Sequence, residues 1–372
     1  MSTRKVTYTE AELLASHDYE APLIAGGVRC HGGFVDAGTY VSPRTLHRVP
    51  AIEAWNDQRA EQFGGEALDV PLDTWPEHFP NVAQAKWLID NGAPGPIITT
   101  LTRIGTVEGF GAMIRSAPIP DLERCFDEDI DGTAMAHLGG GLYEAHARDE
   151  AGHGDEGGHK QMWFAARDLA FEHPDTEDET ALMLERMGIT APGGEAPDPE
   201  ELRRVAIAQR VLPDDVDFDL EMMVVRMARL LLIEISAHHT FAWAEEVLSD
   251  RDLVAGDGEA ATLVSYIRDD EKPHVEYLKT TLSEMRDRTF VGSSGGTYPG
   301  TEIVGTIWDA ALATSRGAGR NQTLDIGLEE VEEAIEDHPE RDRLLEGFWA
   351  RATVRRGADG RWHEGLEPEV AA

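Results

Sequence analysis

The sequence contains few cysteines, few basic residues and no long apolar run. Two cysteines, Cys30 and Cys125, among 372 residues are too few for a disulfide framework. Lysine and arginine together number 33 against 70 acidic residues, which leaves a formal net charge of -37. Such a charge repels nucleic acid and anionic lipid, so the composition excludes partners that bind mainly through phosphate groups.

The N-terminus and the hydropathy of the chain predict a cytoplasmic protein. The first ten residues are polar and carry no signal-peptide pattern. No apolar run approaches the roughly 20 residues of a membrane span. Arginine far outnumbers lysine, and with the excess of Asp and Glu this indicates a salt-adapted, halophilic cytoplasm. The alternative is a soluble acidic protein from a GC-rich genome.

The pattern Asp-Glu-x-x-His occurs twice, at residues 149–153 and 270–274. On an α-helix, residues three apart lie on one face, so each motif would present a carboxylate and an imidazole together. Two such helices facing each other could chelate two metal ions. The predicted ligands from the motifs are Glu150 with His153, and Glu271 with His274.

Two further glutamates lie in apolar segments that predict helices. Glu108 is the only acid of a helix predicted at 97–114, and Glu234 lies in the most apolar part of one at 220–248. An ionised carboxylate on an apolar face costs several kcal/mol unless it is paired. Both are therefore predicted metal ligands. The alternatives are ion pairs with nearby arginines: Arg103 for Glu108, and Arg226 or Arg229 for Glu234.

Two histidines lie one helical turn from these ligands. His146 precedes Glu150 by one turn, and would be either a third imidazole ligand or a residue that packs beside the site. His238 follows Glu234 by one turn. It would be a ligand, a hydrogen-bond partner of Glu234 or a core histidine.

Glycine and proline interrupt both motif helices. A helix predicted at 133–170 contains two glycine clusters, at 139–141 and 152–158, which predict a break or bulge. These glycines would leave room for a substrate or dioxygen pocket, or would allow close helix packing. In a helix predicted at 259–286, Pro273 would produce a kink, or a new helix would begin near Glu271 with Pro273 in its first turn.

The chain divides into three parts by composition. Residues 1–95 show no sustained helical period and predict an extension packed on a bundle formed by residues 96–290. Near residues 26–41 it would contain a hairpin or an extended cap. Cys30 beside His31 resembles a ligand pair, but no second pair follows, which favours a structural role. An acidic, Pro/Gly-rich stretch at 172–219 predicts a long crossover. Residues 291–372 predict additional helices and a tail.

In this order, the four glutamates and two motifs resemble the ferritin-like di-metal carboxylate superfamily. The sequence intervals between successive glutamates are short, long and short, as two helical hairpins joined by a crossover would give. The repeated motif is similar to that of bacterial multicomponent monooxygenase hydroxylases, although Gly152 and Pro273 replace the arginine usual before each histidine. The resemblance covers about residues 97–287.

The resemblance implies an all-α four-helix bundle that binds two iron ions, or iron and manganese. Glu150 and Glu271 would bridge the ions, with Glu108 and Glu234 terminal. We expect an oxidase or oxygenase that activates dioxygen, acts on a small organic substrate and receives electrons from a donor protein, with a homodimer as one possible assembly. The alternatives are a metal-handling or peroxide-scavenging protein without an organic substrate, and a metal-free helical interaction protein.

Overall fold

The computed structural model describes residues 6–70, 75–172, 198–357 and 359–365. These residues are mostly helical with a few short hairpins, which confirms the predicted all-α class at that level. Among them, no helix has the length and apolar character needed to cross a membrane.

Thirteen α-helices lie in the described part of the chain. They are α1 (Glu10–Leu13), α2 (Arg48–Phe63), α3 (Val82–Asp90), α4 (Gly95–Gly111), α5 (Tyr143–Ala151), α6 (His159–Ala170), α7 (Pro199–Ala208), α8 (Phe218–Leu248), α9 (Glu259–Asp270), α10 (Lys272–Arg286), α11 (Gly300–Thr314), α12 (Arg320–Ala334) and α13 (Arg341–Ala350). The strands are β1 (Ala21–Ala25), β2 (Val28–Phe34), β3 (Tyr40–Val41), β4 (Thr289–Val291), β5 (Thr297–Pro299), β6 (Val354–Arg356) and β7 (Trp362–Glu364).

The N-terminal part begins with an antiparallel sheet in the order β1-β2-β3. Gly26 and Gly27 form the β1–β2 turn with positive φ angles of 56° and 78°, a conformation that glycine adopts without steric cost. The β2–β3 turn closes where the Asp36 carboxylate accepts the backbone N–H groups of Gly38 and Thr39. The predicted hairpin is therefore confirmed.

The prediction that residues 1–95 show no sustained helical period is wrong for α2. This helix has 16 residues, and its buried face includes Arg48 and Arg59 beside Ile52 and Trp55. Because charged residues occupy part of the buried stripe, the apolar period that predicts an amphipathic helix is weak.

Four rows of helices pack around the centre of the molecule. The first row is α4, the second is α5 followed by α6, the third is α8, and the fourth is α9 followed by α10. Helix α4 packs on α5 and α6, α6 packs on α9, and α8 packs on both α9 and α10. Each row contains one of the four helices predicted to carry ligands.

The second row is interrupted at both glycine clusters. A single π-helical turn spans Leu138–Leu142, with Gly141 at φ 136°. Helix α5 then ends at Ala151, and α6 begins at His159 after a loop. The sequence predicts a break or bulge near one of the two clusters, and the structure has one at each. The single helix predicted over 133–170 is replaced by two short ones.

The fourth row also consists of two helices. Helix α9 ends at Asp270, and α10 begins at Lys272 with Pro273 in its first turn, where the missing N–H group costs no helical hydrogen bond. Of the two alternatives for Pro273, the structure shows the new helix start.

The connection between the second and third rows is described only in part. Helix α7 and the start of α8, which Asp217 caps through the N–H groups of Asp219 and Leu220, occupy its second half. The first half of the predicted crossover, residues 173–197, lies outside the described residues.

The buried apolar side chains form two clusters, and Glu108, Glu150, Glu234 and Glu271 lie between them. Helix α8 contributes Leu220 to Ile235 to one cluster and Phe241 to Leu248 to the other. Helix α4 contributes Leu101 to the second cluster, while Ile114 just beyond it joins the first. A polar layer therefore separates two apolar cores, and all four helical rows cross it.

Candidate metal centre

The four helical rows bring four glutamates and three histidines together in that polar layer. Two groups of side chains each have their ligand atoms within 4.8 Å of one another: His146, Glu150, Glu234 and His274 in one, and Glu108, Glu150, His159 and Glu271 in the other. Glu150 belongs to both. The side chains are almost completely buried, and the most accessible, Glu108, is 10% exposed.

Glu150 and Glu271 lie between the two groups, with one oxygen turned to each. Glu150 Oε1 is 3.2 Å from His274 Nδ1, and its Oε2 is 3.5 Å from His159 Nδ1. Glu271 Oε2 is 2.6 Å from His274 Nδ1, and its Oε1 is 2.8 Å from His159 Nδ1. Two carboxylates placed in this way can each bridge a pair of ions.

Glu108 and Glu234 lie at opposite ends of the cluster. Glu108 Oε2 is 3.4 Å from His159 Nδ1. Glu234 Oε1 is 3.6 Å from His146 Nε2, and its Oε2 is 4.0 Å from His274 Nδ1. Neither carboxylate makes the ion pair with arginine that was the alternative for it. Arg103 instead pairs with Glu330.

The structure corrects the prediction for His153 and puts His159 in its place. Helix α5 ends at Ala151, and Gly152 has a φ of 81°, so the i, i+3 relation of a helix does not reach His153. His153 lies exposed in a tight turn, where it exchanges backbone hydrogen bonds with Glu156. His159, at the first position of α6, lies in the cluster instead. The sequence signal that could have identified His159 was its position at the start of the apolar segment that forms α6.

Of the two additional histidines, only His146 joins the cluster. Its Nε2 atom lies 3.6 Å from Glu150 Oε1, and its ring stacks on that of His274 with centroids 3.9 Å apart. The Tyr277 hydroxyl is 3.2 Å from His146 Nδ1, which orients Nε2 towards the glutamates. His238 is partly buried and belongs to neither group.

The aspartate of each motif contacts the histidine from the other helical row. Asp149 Oδ2 is 2.9 Å from His274 Nε2, and Asp270 Oδ2 is 3.5 Å from His159 Nε2. The Asp149 carboxylate accepts a hydrogen bond from His274 Nε2, and an aspartate in this position fixes the tautomer and ring orientation of a ligating imidazole. In both rings Nδ1 faces the glutamates.

The N-terminal part holds both aspartates in place. Arg44 and Arg48 form buried ion pairs with Asp149, with Arg44 Nε 2.7 Å from Oδ1 and an Arg48 guanidinium nitrogen 2.8 Å from Oδ2. The Tyr40 hydroxyl donates to Asp270 Oδ2 over 2.8 Å. Sequence reasoning missed these three residues, because they lie in irregular or weakly amphipathic segments.

Burial and mutual charge decide where protons lie when no cation is bound. Burial and the adjacent Glu150 raise the pKa of Glu108 well above its usual range, and burial and Glu271 do the same for Glu234. Burial alone would also raise the pKa of Glu150, but the charge on His159 outweighs it and the pKa is well below its usual range.

The pKa values of Glu271 and of the three histidines are set by the same two effects, burial and neighbouring charge. Burial and Glu150 oppose ionisation of Glu271, yet His274 and His159 hold its pKa at about 2. Burial disfavours charge on His159 and His274, but Glu271 outweighs it and raises the pKa of both well above the usual value. Burial, reinforced by charge on His274, lowers the pKa of His146 to about 3. Without cations, the centre therefore holds protons on the two terminal glutamates and on two histidines.

Two observations show that the cluster fits a pair of cations. Both ring nitrogens of His159 and Glu108 Oε2 are buried without a hydrogen-bond partner, although carboxylate oxygens lie within 2.8 to 3.5 Å of the ring. Groups oriented in this way suit ligation better than hydrogen bonding. In addition, six ionised carboxylates less the two guanidiniums of Arg44 and Arg48 leave four negative charges, which two divalent cations would cancel.

The glycines near the centre allow close packing. A Cβ atom at Gly111 would overlap the side chain of Glu150, and one at Gly158 would lie 2.6 Å from the carbonyl oxygens of Asp149 and Glu150. Of the two alternatives for the glycine clusters, the structure shows tight contact rather than a pocket at 152–158. This contact folds the loop back so that α6 begins beside Glu150.

A cavity of about 730 Å³ lies on another face of the bundle. It is bounded by α4, α8, the segment around Trp75 and the region between α11 and α12. On α8 its walls include Leu232, Ser236 and His239, whereas Glu234 lies about 200° around the helix from Leu232. The cavity therefore lies on the face of α8 that is turned away from the centre.

Comparisons with known proteins do not add a family to this description. The chain matches no protein-family model, no curated protein and no solved structure.

We expect Gly111→Ala to lower the divalent metal content of the purified protein severalfold, because the added methyl group displaces Glu150. Metal would be measured by elemental analysis. Gly305→Ala is the matched control, since Gly305 is also helical and has open space around it. Equal metal content in the two variants would show that the position of Glu150 does not matter for binding.

We expect Asp149→Asn to lower the free energy of unfolding by about 3–5 kcal/mol, because it leaves two buried guanidiniums without an ionised partner. Urea unfolding in the presence of a chelator would measure this without any contribution from bound metal. Asp219→Asn is the control, since its pair with Arg203 is largely exposed and contributes little. Similar losses in both variants would contradict a special role for the Asp149 pair.

Metal binding should release protons, because the raised pKa values of Glu108, Glu234, His159 and His274 keep these groups protonated in the metal-free centre. Lower pH strengthens this competition, so the apparent metal affinity should fall as pH falls. Calorimetric titration in buffers of different protonation enthalpy would measure the released protons. Binding heats independent of the buffer would contradict this protonation pattern.

Proposed function

We propose that this protein is a di-metal carboxylate oxidoreductase with a ferritin-like four-helix bundle. The observation that carries the proposal is the position of Glu150 and Glu271, each with its two oxygens turned to different halves of a buried group of glutamates and histidines. The four rows of helices that supply the ligands, and the segment that separates the second and third rows, support the bundle.

The donor set favours iron, or iron with manganese. Four carboxylates and three imidazoles suit these ions, and neither cysteine belongs to the ligand groups. Bound there, the ions would supply electrons for the reduction of dioxygen or a peroxide. Glu150 and Glu271 would hold both ions, Glu108 and Glu234 one each, while His146 and His274 would serve one half and His159 the other.

The surrounding residues keep this centre oriented and dry. Asp149 holds the ring of His274, Asp270 lies 3.5 Å from His159 Nε2, and Arg44 and Arg48 hold Asp149 in its ionised form. Burial raises the pKa of Asp149, but the two arginines outweigh it and the pKa lies well below its usual range. Apolar clusters above and below the layer exclude water, which strengthens every charge interaction within it.

The specific chemistry that we propose is oxidation of a small organic substrate with dioxygen. A second candidate is metal handling or peroxide scavenging without an organic substrate. It is supported by the burial of the centre and by the cavity of about 730 Å³, which faces away from Glu234. Dioxygen and peroxide are small enough to enter a closed centre that excludes larger molecules.

Rapid mixing of the iron-loaded, reduced protein with dioxygen, and separately with hydrogen peroxide, would test the proposal. We expect iron oxidation in the wild-type protein to be at least tenfold faster than that of free iron under the same conditions. Glu271→Ala should lose this acceleration, whereas His153→Ala should retain it because His153 lies exposed outside the cluster.

Consumption of a supplied organic compound in step with dioxygen would favour the oxygenase. Faster reaction with peroxide and no change in any organic compound would favour the scavenger. Oxidation no faster than that of free iron with both oxidants would contradict both candidates.

A further inference from the structure

A third histidine-containing group lies on the outer side of the centre. His31, on β2, is 4% exposed, and neither of its ring nitrogens has a hydrogen-bond partner. Its ligand atom lies within 4.8 Å of ligand atoms of His159 and Asp270, which are both buried. Two unsatisfied imidazole nitrogens in a buried site would cost free energy unless something binds them.

We propose that His31, Asp270 and the Nε2 face of His159 form a separate site for a single divalent cation of the zinc type. Three protein ligands of this kind, with a fourth position open to water, are a common arrangement for zinc. The inference rests on the proposed function only in that His159 also faces the di-metal centre.

The two nitrogens of His159 face different groups. Nδ1 lies 2.8 to 3.5 Å from oxygens of Glu271, Glu108 and Glu150, while Nε2 lies 3.5 Å from Asp270 Oδ2 on the other side of the ring. The His159 ring can therefore ligate one cation through Nδ1 and a second cation through Nε2 when neither nitrogen carries a proton.

The fold brings His31 to this place through the loop between α5 and α6. The N–H group of Gly157 donates to the Arg29 carbonyl, and the N–H group of His31 donates to the Gly157 carbonyl. The loop that delivers His159 is thus joined to β2, two residues before α6 begins. The Tyr40 hydroxyl from β3 orients Asp270 from the same sheet.

Cys30, the neighbour of His31, is not part of the site. Adjacent residues of a strand point to opposite faces, and Cys30 Sγ lies beside Gly157 and the Val28 carbonyl. Burial raises the pKa of the Cys30 thiol to about 11, so it remains protonated. The adjacent cysteine and histidine therefore have separate roles.

Charge limits the strength of this third site. With two divalent ions in place the central charges already cancel, so a third adds two positive charges to the buried layer. An unprotonated, negatively charged His159 ring and one bound hydroxide would offset them, and zinc lowers the pKa of bound water to about 7. We therefore expect the third site to fill last.

Titration with Zn²⁺ alone, followed by elemental analysis after gel filtration, would test the site. We expect three ions per chain in the wild-type protein and two in His31→Ala. The double variant Glu108→Ala/Glu234→Ala should lose the paired ions and retain one, while His153→Ala should bind three. His31→Asn is the second variant, and circular dichroism would establish that each variant is folded.

The outcomes separate this inference from the proposed function. Two ions in both wild type and His31→Ala would overturn the third site and leave the di-metal centre standing. One ion in the wild type that is lost in His31→Ala would support the third site and contradict the di-metal centre. No bound ion in the wild type would overturn both. Loss of every ion in the folded His31 variants would overturn a third site that is separate from the centre.

Discussion

The structure depends on burying two shared carboxylates, Glu150 and Glu271, between two imidazoles. Like charges about 4 Å apart repel by about 4 kcal/mol at an effective dielectric of 20, so four glutamates cannot remain ionised together without cations. The chain places them in a layer between two apolar cores, where water cannot screen them. Either protons or metal ions must therefore occupy the centre, and the charge count matches two divalent ions.

The N-terminal part of the chain contacts this centre directly. Its sheet, α2 and the segment between them carry the groups that hold the motif aspartates, namely Tyr40 for Asp270, and Arg44 and Arg48 for Asp149. The same sheet carries His31. The histidines that these aspartates contact lie on different helical rows, so the extension fixes the two halves of the centre relative to each other.

The sequence allowed much of the centre to be predicted, because buried acids in apolar helices are costly and therefore informative. Glu108 and Glu234 stood out for this reason. His153 was assigned by helical spacing, which fails where Gly152 ends the helix, and His159 was overlooked because its role depends on a loop fold. Arg44, Arg48 and Tyr40 could not be found, since only tertiary contacts place them there. The mostly helical class could be predicted from long segments in which apolar residues recur with helical spacing. Helix α2 could not, because buried arginines interrupt its apolar period.

Anomalous diffraction from crystals of protein purified without chelators tests the central claim most directly. Data collected on both sides of the iron and manganese absorption edges would locate and identify bound ions. We expect two peaks, one on each side of the Glu150 and Glu271 carboxylates, with Glu108 beside one and Glu234 beside the other. Absence of any peak there, with the glutamates paired to one another through protons, would contradict a di-metal centre.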